Sequence, residues 1–260
     1  MGNLLGAILL VVTTSCFAKP SGKQGSKTPT VAVKVQTSTV ATGTELTAYS
    51  ASTAPLTLEL ISARFAETDA RIKTLTTSFR QFVRLDGSDM VQTVEGEVSF
   101  KKPDLLRLVH RIPEPQTVVS DGTWLWVYRN STNQVIQTRL DAWRKSEPLA
   151  QGLLDFGASA DMLTRYNTVL STVSAPGTDG HRTFTLTLTP KEKKGDNDFV
   201  LTLKASTKDF FPADASLRVG RASIRSVFEN VRLNPELPEA TFKFTPPTDA
   251  DLFKSPEPKK

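Results

Sequence analysis

The sequence predicts an α+β protein in which a large antiparallel sheet, apolar on one face, curls into a half-barrel covered by one leading helix and a helical insert. Three observations carry this: a stretch of helical period beginning near residue 56, a succession of period-2 stretches after residue 74, and turn dipeptides between those stretches. The turn signals are Asp86-Gly87, Asp121-Gly122, Asp179-Gly180 and Gly195-Asp196-Asn197.

The helical stretch covers residues 56–75. Leu58, Ile61, Phe65, Ile72 and Leu75 fall on one face, while Glu59, Arg64, Glu67, Arg71 and Lys73 fall elsewhere. Pro55 suits a first helical turn. The run Thr74-Leu75-Thr76-Thr77 then ends the helix and begins extended chain. Val94, Gly96, Val98 and Phe100 alternate with Glu95, Glu97, Ser99 and Lys101, the pattern of an amphipathic strand. Leu106, Leu108 and His110 alternate with Arg107 and Arg111, and Phe184, Leu186 and Leu188 alternate with threonines. Phe199, Leu201 and Leu203 repeat the pattern, as do Ile224, Ser226 and Phe228. About ten such strands make a sheet that must curl or close.

Two stretches break the rhythm. Thr123-Trp124-Leu125-Trp126-Val127-Tyr128 is apolar on both faces. It is either a central strand covered on both sides or one that presents Trp124 and Trp126 to a ligand cavity. Residues 141–165 carry Leu149, Leu153, Leu154, Phe156, Met162 and Leu163, interrupted by Gly152 and Gly157. Short amphipathic helices here would form a lid over the sheet or a fixed plug in it.

Ahead of this body, residues 1–18 read as an export signal. Leu4 to Val12 is an uncharged apolar run, too short for a membrane-spanning helix of about 20 residues. Ser15-Cys16-Phe17-Ala18 offers ordinary cleavage after Ala18, whereas Thr13-Thr14-Ser15-Cys16 resembles a lipobox that would lipidate Cys16; both readings stay open. Residues 19–55 contain 13 Ser or Thr in 37 positions and few large apolar side chains, the composition of a flexible arm. Residues 254–260 form a short basic tail.

The net charge of +5 is no nucleic-acid signal. Lys19, Lys23, Lys27 and Lys34 against Glu45 leave +3 in residues 1–55, so +2 remains for everything after them, including the tail. Cys16 is the sole cysteine, which rules out a disulfide framework within the chain. His110 and His181 are far apart in sequence, and no nucleophile elbow, phosphate-binding glycine loop or dinucleotide fingerprint occurs. His110 reads as a hydrogen-bonded strand histidine and His181 as an exposed turn residue. No catalytic residue, metal or cofactor is expected.

Three stretches together are similar to the LolA family of lipoprotein carriers. They are Gly96-Glu97-Val98-Ser99-Phe100-Lys101-Lys102-Pro103-Asp104-Leu105-Leu106-Arg107, Val118-Val119-Ser120-Asp121-Gly122-Thr123-Trp124-Leu125-Trp126-Val127-Tyr128, and Ala240-Thr241-Phe242-Lys243-Phe244-Thr245-Pro246-Pro247. A helix followed by Ser78-Phe79-Arg80-Gln81 matches the family's opening, and the resemblance runs over residues 56–253. It implies an unclosed antiparallel half-barrel with short lid helices and a non-enzymatic periplasmic carrier, expected to be a monomer. Its cargo would be acylated lipoproteins, its donor an inner-membrane ABC transporter and its recipient an outer-membrane acceptor. The family's lid-closing arginine falls at Lys102, where lysine keeps the charge but loses the planar fork. The lipid trough is expected to be walled by Val98, Phe100, Leu106, Leu108, Trp124, Trp126, Phe184, Leu186, Leu201 and Phe228. A lipid-anchored acceptor of the same fold, tethered through Cys16, and a lipid-sensing regulatory module are the competing expectations.

Overall fold

A computed structural model of the chain describes residues 55–146, 158–192 and 198–255. Helix α1 (Leu58–Arg71) precedes strands β1 (Thr74–Leu85), β2 (Val91–Lys101), β3 (Leu105–Ile112), β4 (Gln116–Asp121), β5 (Trp124–Arg129) and β6 (Gln134–Arg139). Helices α2 (Leu140–Ser146) and α3 (Ser159–Arg165) follow. The chain continues through β7 (Asn167–Val173), β8 (Thr183–Thr189), β9 (Phe199–Ser206), β10 (Pro212–Val219), β11 (Ala222–Leu233), a 3-10 turn at Glu239–Phe242 and β12 (Asp251–Lys254).

All twelve strands belong to one sheet in the order β12-β6-β5-β4-β3-β2-β1-β11-β10-β9-β8-β7. Neighbours are antiparallel except β12, which adds to β6 in parallel. The two terminal strands, β12 and β7, do not pair with each other, so the sheet stays open. Among the described residues the chain returns across it twice: β11 comes back to pair with β1 along nearly the whole of both strands, joining the two halves, and the chain then crosses to the far edge, where β12 pairs with β6.

Helix α1 begins where the side chain of Thr57 accepts the Leu60 N–H at 3.3 Å, with Glu59 in its first turn and Arg71 in its last, both favourable to the helix dipole. It ends at Arg71, four residues short of the sequence expectation. Asn234 explains the difference, because its side-chain oxygen accepts the N–H groups of Lys73 (2.7 Å) and Thr74 (3.4 Å) and its amide donates to the Arg71 carbonyl (3.0 Å). That long-range cap starts β1 early and turns Leu75 into a strand residue of the core. The expected turns at Gly87 and Gly122 have φ of 82° and 90°, which glycine adopts without a Cβ penalty. Residues 195–197 lie outside the described residues.

One face of the sheet, here called the inner face, carries nearly all the buried apolar side chains. They form two clusters. The first gathers Ile61 and Phe65 of α1 and Met162 and Leu163 of α3 onto Phe184, Leu186, Leu188, Phe199, Leu201, Leu203 and Leu217. The second joins Leu75, Phe79, Val94, Val98, Phe100, Leu106, Leu108, Val118, Leu125 and Val127, with Leu140 of α2 and Phe211. Each fully buried Leu or Phe contributes on the order of 2 kcal/mol by leaving water.

Gly96 is required by packing within the second cluster. A Cβ there would come within 2.2 Å of the Val109 carbonyl oxygen and 2.8 Å of the Phe79 ring. The backbone oxygen cannot step aside without disturbing the β2–β3 ladder. Gly96→Ala is therefore expected to lower unfolding stability by about 1–3 kcal/mol, read from urea melts. A neutral result would show that β2 and β3 are farther apart than this packing requires.

Candidate functional site

Side-chain parity across the sheet defines the site. Following the register across the first half, Thr77 opposes Val98, Val98 opposes Leu108, Leu108 opposes Val118, Val118 opposes Val127 and Val127 opposes Ile136. Across the second half, Gln81 opposes Ser226, and the same row runs through Ala215, Leu203 and Leu186 to Leu170. Directly opposed residues point to the same side, so these rows place both apolar clusters on one face, with Thr77, Gln81 and Ser226 of the β1–β11 joint between them. Val98, Phe100, Leu106, Leu108 and Phe228 lie on it in the second cluster, and Phe184, Leu186 and Leu201 lie on it in the first.

Trp124 and Trp126 do not, and the expectation that they wall the trough is corrected. Trp126 opposes Val119 and Gln137, the residues out of phase with Leu125 and Val127. Its ring packs 6.2 Å from Phe244, and Tyr128 packs 6.1 Å from the same ring. The Arg139 guanidinium lies 5.5 Å over Trp124. Strand β5 is thus covered on both faces, by the inner cluster on one side and by the half-buried Phe244 on the other. Sequence alternation showed two apolar phases in β5, and only the register decides which one faces inward.

The inner face also holds polar groups. Thr77 Oγ1 donates to the Glu229 carbonyl (2.8 Å) and Ser120 Oγ to the Asp104 carbonyl (2.8 Å). Gln81 Nε2 donates to Ser226 Oγ at 2.9 Å, but Gln81 Oε1 has no partner. His110 is buried, its ring edge-on to Phe79 at 5.7 Å, and its Nε2 also has no hydrogen-bond partner. The expectation of a hydrogen-bonded strand histidine is corrected for that atom. Gly96 lies between His110 and Phe79 in the register, and its missing side chain is what lets the two rings meet. Burial pushes the His110 imidazole down from 6.5 to about 4, so it is neutral at neutral pH. His181, expected to be exposed, is half-buried at its turn, where its carbonyl accepts the Gly177 N–H.

Lys102 and Asp104 tie helices to the sheet, and Asp69 ties two helices to each other. Lys102, at the end of the β2 ladder, donates through Nζ to the backbone carbonyl of Asp69 in the last turn of α1. The Asp69 carboxylate in turn accepts the Ala160 N–H at 2.8 Å, capping α3, whose own N-cap residue Ala158 supplies no side-chain acceptor. Burial raises the Asp69 carboxyl above the ordinary range, against the pull of the Ala160 and Ser159 N–H groups and of the Lys102 charge. Asp104, two residues after Lys102, pairs with Arg144 of α2 at 2.6 Å. Sequence reasoning missed Asp69, Asp104 and Arg144, because single charged residues acquire meaning only from the segment folded against them. Met162 and Leu163 are buried beside α1. Leu149, Leu153, Leu154, Phe156 and Cys16 lie outside the described residues.

Among the described residues, no group of three His, Cys, Asp or Glu side chains could hold a metal ion, and no helix is long and apolar enough to cross a membrane.

The chain matches the family model described as outer membrane lipoprotein carrier protein LolA over residues 70–245. It is 29% identical over 167 residues to the outer-membrane lipoprotein carrier protein of Albidiferax ferrireducens, covering 63% of this chain and 75% of that one. With the protein of the same name from Dechloromonas aromatica it shares 31% identity over 182 residues, covering 69% and 81% respectively. A crystal structure of a LolA superfamily protein from Nitrosomonas europaea aligns over 73% of this chain and 99% of that one, at 13% identity and a TM-score of 0.39.

The His110 environment sets a pH dependence. A histidine whose folded value lies near 4 and unfolded value near 6.5 binds its proton better when unfolded. Its contribution to stability is complete above pH 6.5 and is lost as pH falls towards 4, by up to about 3 kcal/mol. Urea melts at pH 7 and pH 4.5 are expected to show this fall, and His110→Leu to flatten it. An equal fall in the variant would move the acid sensitivity to other groups.

Proposed function

The chain belongs to the LolA family of outer membrane lipoprotein carrier proteins, and from that premise we propose that it is a non-catalytic periplasmic carrier. It takes the acyl chains of lipoproteins onto the inner face of its sheet and ferries them from the inner membrane to the outer membrane. Its donor is an inner-membrane lipoprotein-releasing ABC transporter and its recipient an outer-membrane acceptor. The observation that carries this reading is an open sheet with two apolar clusters on one face and helices packed over that face by apolar side chains and a few polar ties.

The physical need is simple. Each methylene of an acyl chain exposed to water costs about 0.8 kcal/mol, so lipidated cargo crossing an aqueous compartment must be shielded. A carrier must also let go. An apolar wall whose covering helices withdraw exchanges protein–protein apolar contact for protein–lipid contact, and the net change stays small enough to reverse. In this reading Lys102 is the latch. It reaches one carbonyl of α1 with one ammonium group, where an arginine fork would reach several, and the Asp69 cap transmits that hold to α3. Opening α1 and α3 together would uncover Phe184, Leu186 and Leu201, which lie beneath them.

The arm at residues 19–55 and the signal at residues 1–18 fit export, with Cys16 either removed with the signal or kept as a lipid anchor. A retained anchor would confine the carrier to one membrane's surface, within reach of the arm.

A fluorescent fatty-acid probe tests the binding face. Leu106→Glu places a charge on the inner wall and is expected to weaken probe binding about tenfold or more, since a buried unpaired charge opposes an apolar ligand. Val200→Glu, on an exposed position out of phase with the wall, is expected to leave binding unchanged. Circular dichroism establishes that both variants fold. If Leu106→Glu binds the probe as the parent does, the inner face of β3 is not part of the lipid site.

A further inference from the structure

We infer that His110 and Gln81 form a polar subsite on the inner face that binds the hydrogen-bonding linkage group of an acyl ligand, one bearing an N–H or O–H donor beside its carbonyl. This deepens the carrier reading and rests on it.

The observation is a pair of orphaned atoms. His110 is 3% exposed and Gln81 8% exposed, yet His110 Nε2 and Gln81 Oε1 have no hydrogen-bond partner. Buried polar atoms are almost always satisfied, and leaving one unmade is costly. The other hydrogen bonds of this face show that the fold can satisfy such groups: the amide nitrogen of the same glutamine reaches Ser226 Oγ, Thr77 reaches the Glu229 carbonyl, and Ser120 reaches the Asp104 carbonyl. Gln81 Oε1 and His110 Nε2 are thus left over on a face that otherwise satisfies its polar groups, and Arg129 Nε of β5, on the same face, is a further unpartnered atom farther along the sheet.

That region is where the two apolar clusters meet. In the row that crosses β1, Val94 of the second cluster is followed by Gln81, then Ser226, then Ala215 of the first cluster. His110 lies on the same face two strands away, across Gly96, with the Phe79 ring edge-on to it. A ligand whose chains spread over both clusters would bring the point where they join to this interval.

The chemistry of the orphans then selects the linkage. A glutamine oxygen only accepts, so its partner must donate. A neutral imidazole nitrogen serves a carbonyl when it carries the proton and an N–H or O–H when it does not. An ester-linked chain offers acceptors alone and cannot satisfy Gln81 Oε1. An amide-linked chain, or one next to a free hydroxyl, offers a donor and an acceptor together. The subsite is accordingly expected to discriminate among lipids of equal apolar surface.

The test is competition against the fluorescent fatty-acid probe on the full chain. The competitors are N-palmitoylglycine methyl ester, the analogue with an ester oxygen in place of its N–H, and monopalmitoylglycerol. The amide is expected to compete about tenfold better than the ester analogue, and Gln81→Leu or His110→Leu to shrink that preference towards one. Monopalmitoylglycerol matching the amide assigns the donor to either group, and monopalmitoylglycerol matching the ester assigns it to the amide N–H; both support the subsite. Equal competition by amide and ester on the unmodified chain overturns the subsite while leaving the acyl-binding wall standing. Competition by none of the three, with no binding of the probe itself, overturns the carrier reading and the subsite with it.

Discussion

Everything in this molecule depends on one parity being kept across the sheet. Side chains alternate between faces along each strand, so a slip of one residue in any ladder would carry that strand's apolar set to the solvent side. The register avoids this across the long β1–β11 joint, where β11 pairs with the first strand although the whole of β2 to β10 lies between them in sequence. Phe79 opposes Phe228, Gln81 opposes Ser226 and Val83 opposes Ile224. Because that joint holds, the wall on the early strands and the wall on the late strands become one surface.

An open sheet has edges, and this one treats them differently. On one side β12 adds to β6 and ends the row with exposed Leu252 and Phe253. On the other, β7 is paired only with β8 and shows Val169 and Val173 to solvent. The covering helices are also held by a few polar ties: a lysine on a helix carbonyl, an aspartate on the N–H groups of a second helix, and an ion pair between Asp104 and the third. Such ties are worth about 1 kcal/mol each, far less than the apolar wall beneath them. The ties add direction to helices whose main hold is the burial of Ile61, Phe65, Met162 and Leu163 against the sheet.

Much of this was legible in the sequence, for physical reasons. Period-2 alternation survives as a signal wherever one face is wet, so the strands carrying Val98 and Phe100, Leu106 and Leu108, Phe184 and Leu186 declared both their type and their inner phase. Gly87 and Gly122 marked turns because positive φ selects glycine. The aromatic strand did not declare its phase, since both its faces are covered and Trp126 and Val127 are equally apolar. The end of α1 was misplaced because a cap more than 150 residues away, Asn234, sets it. The orphaned atoms of Gln81 and His110 were invisible too. A sequence names polar residues but not which of their atoms go unpartnered.

Native mass spectrometry of the full chain, purified under mild conditions from a Gram-negative host and measured before and after detergent, tests the central claim most directly. The account predicts acyl-bearing species bound to the folded chain that detergent strips to the bare mass. A single bare mass in both samples, with no uptake of added lipid, would contradict it, because an apolar face that carries nothing is only a core.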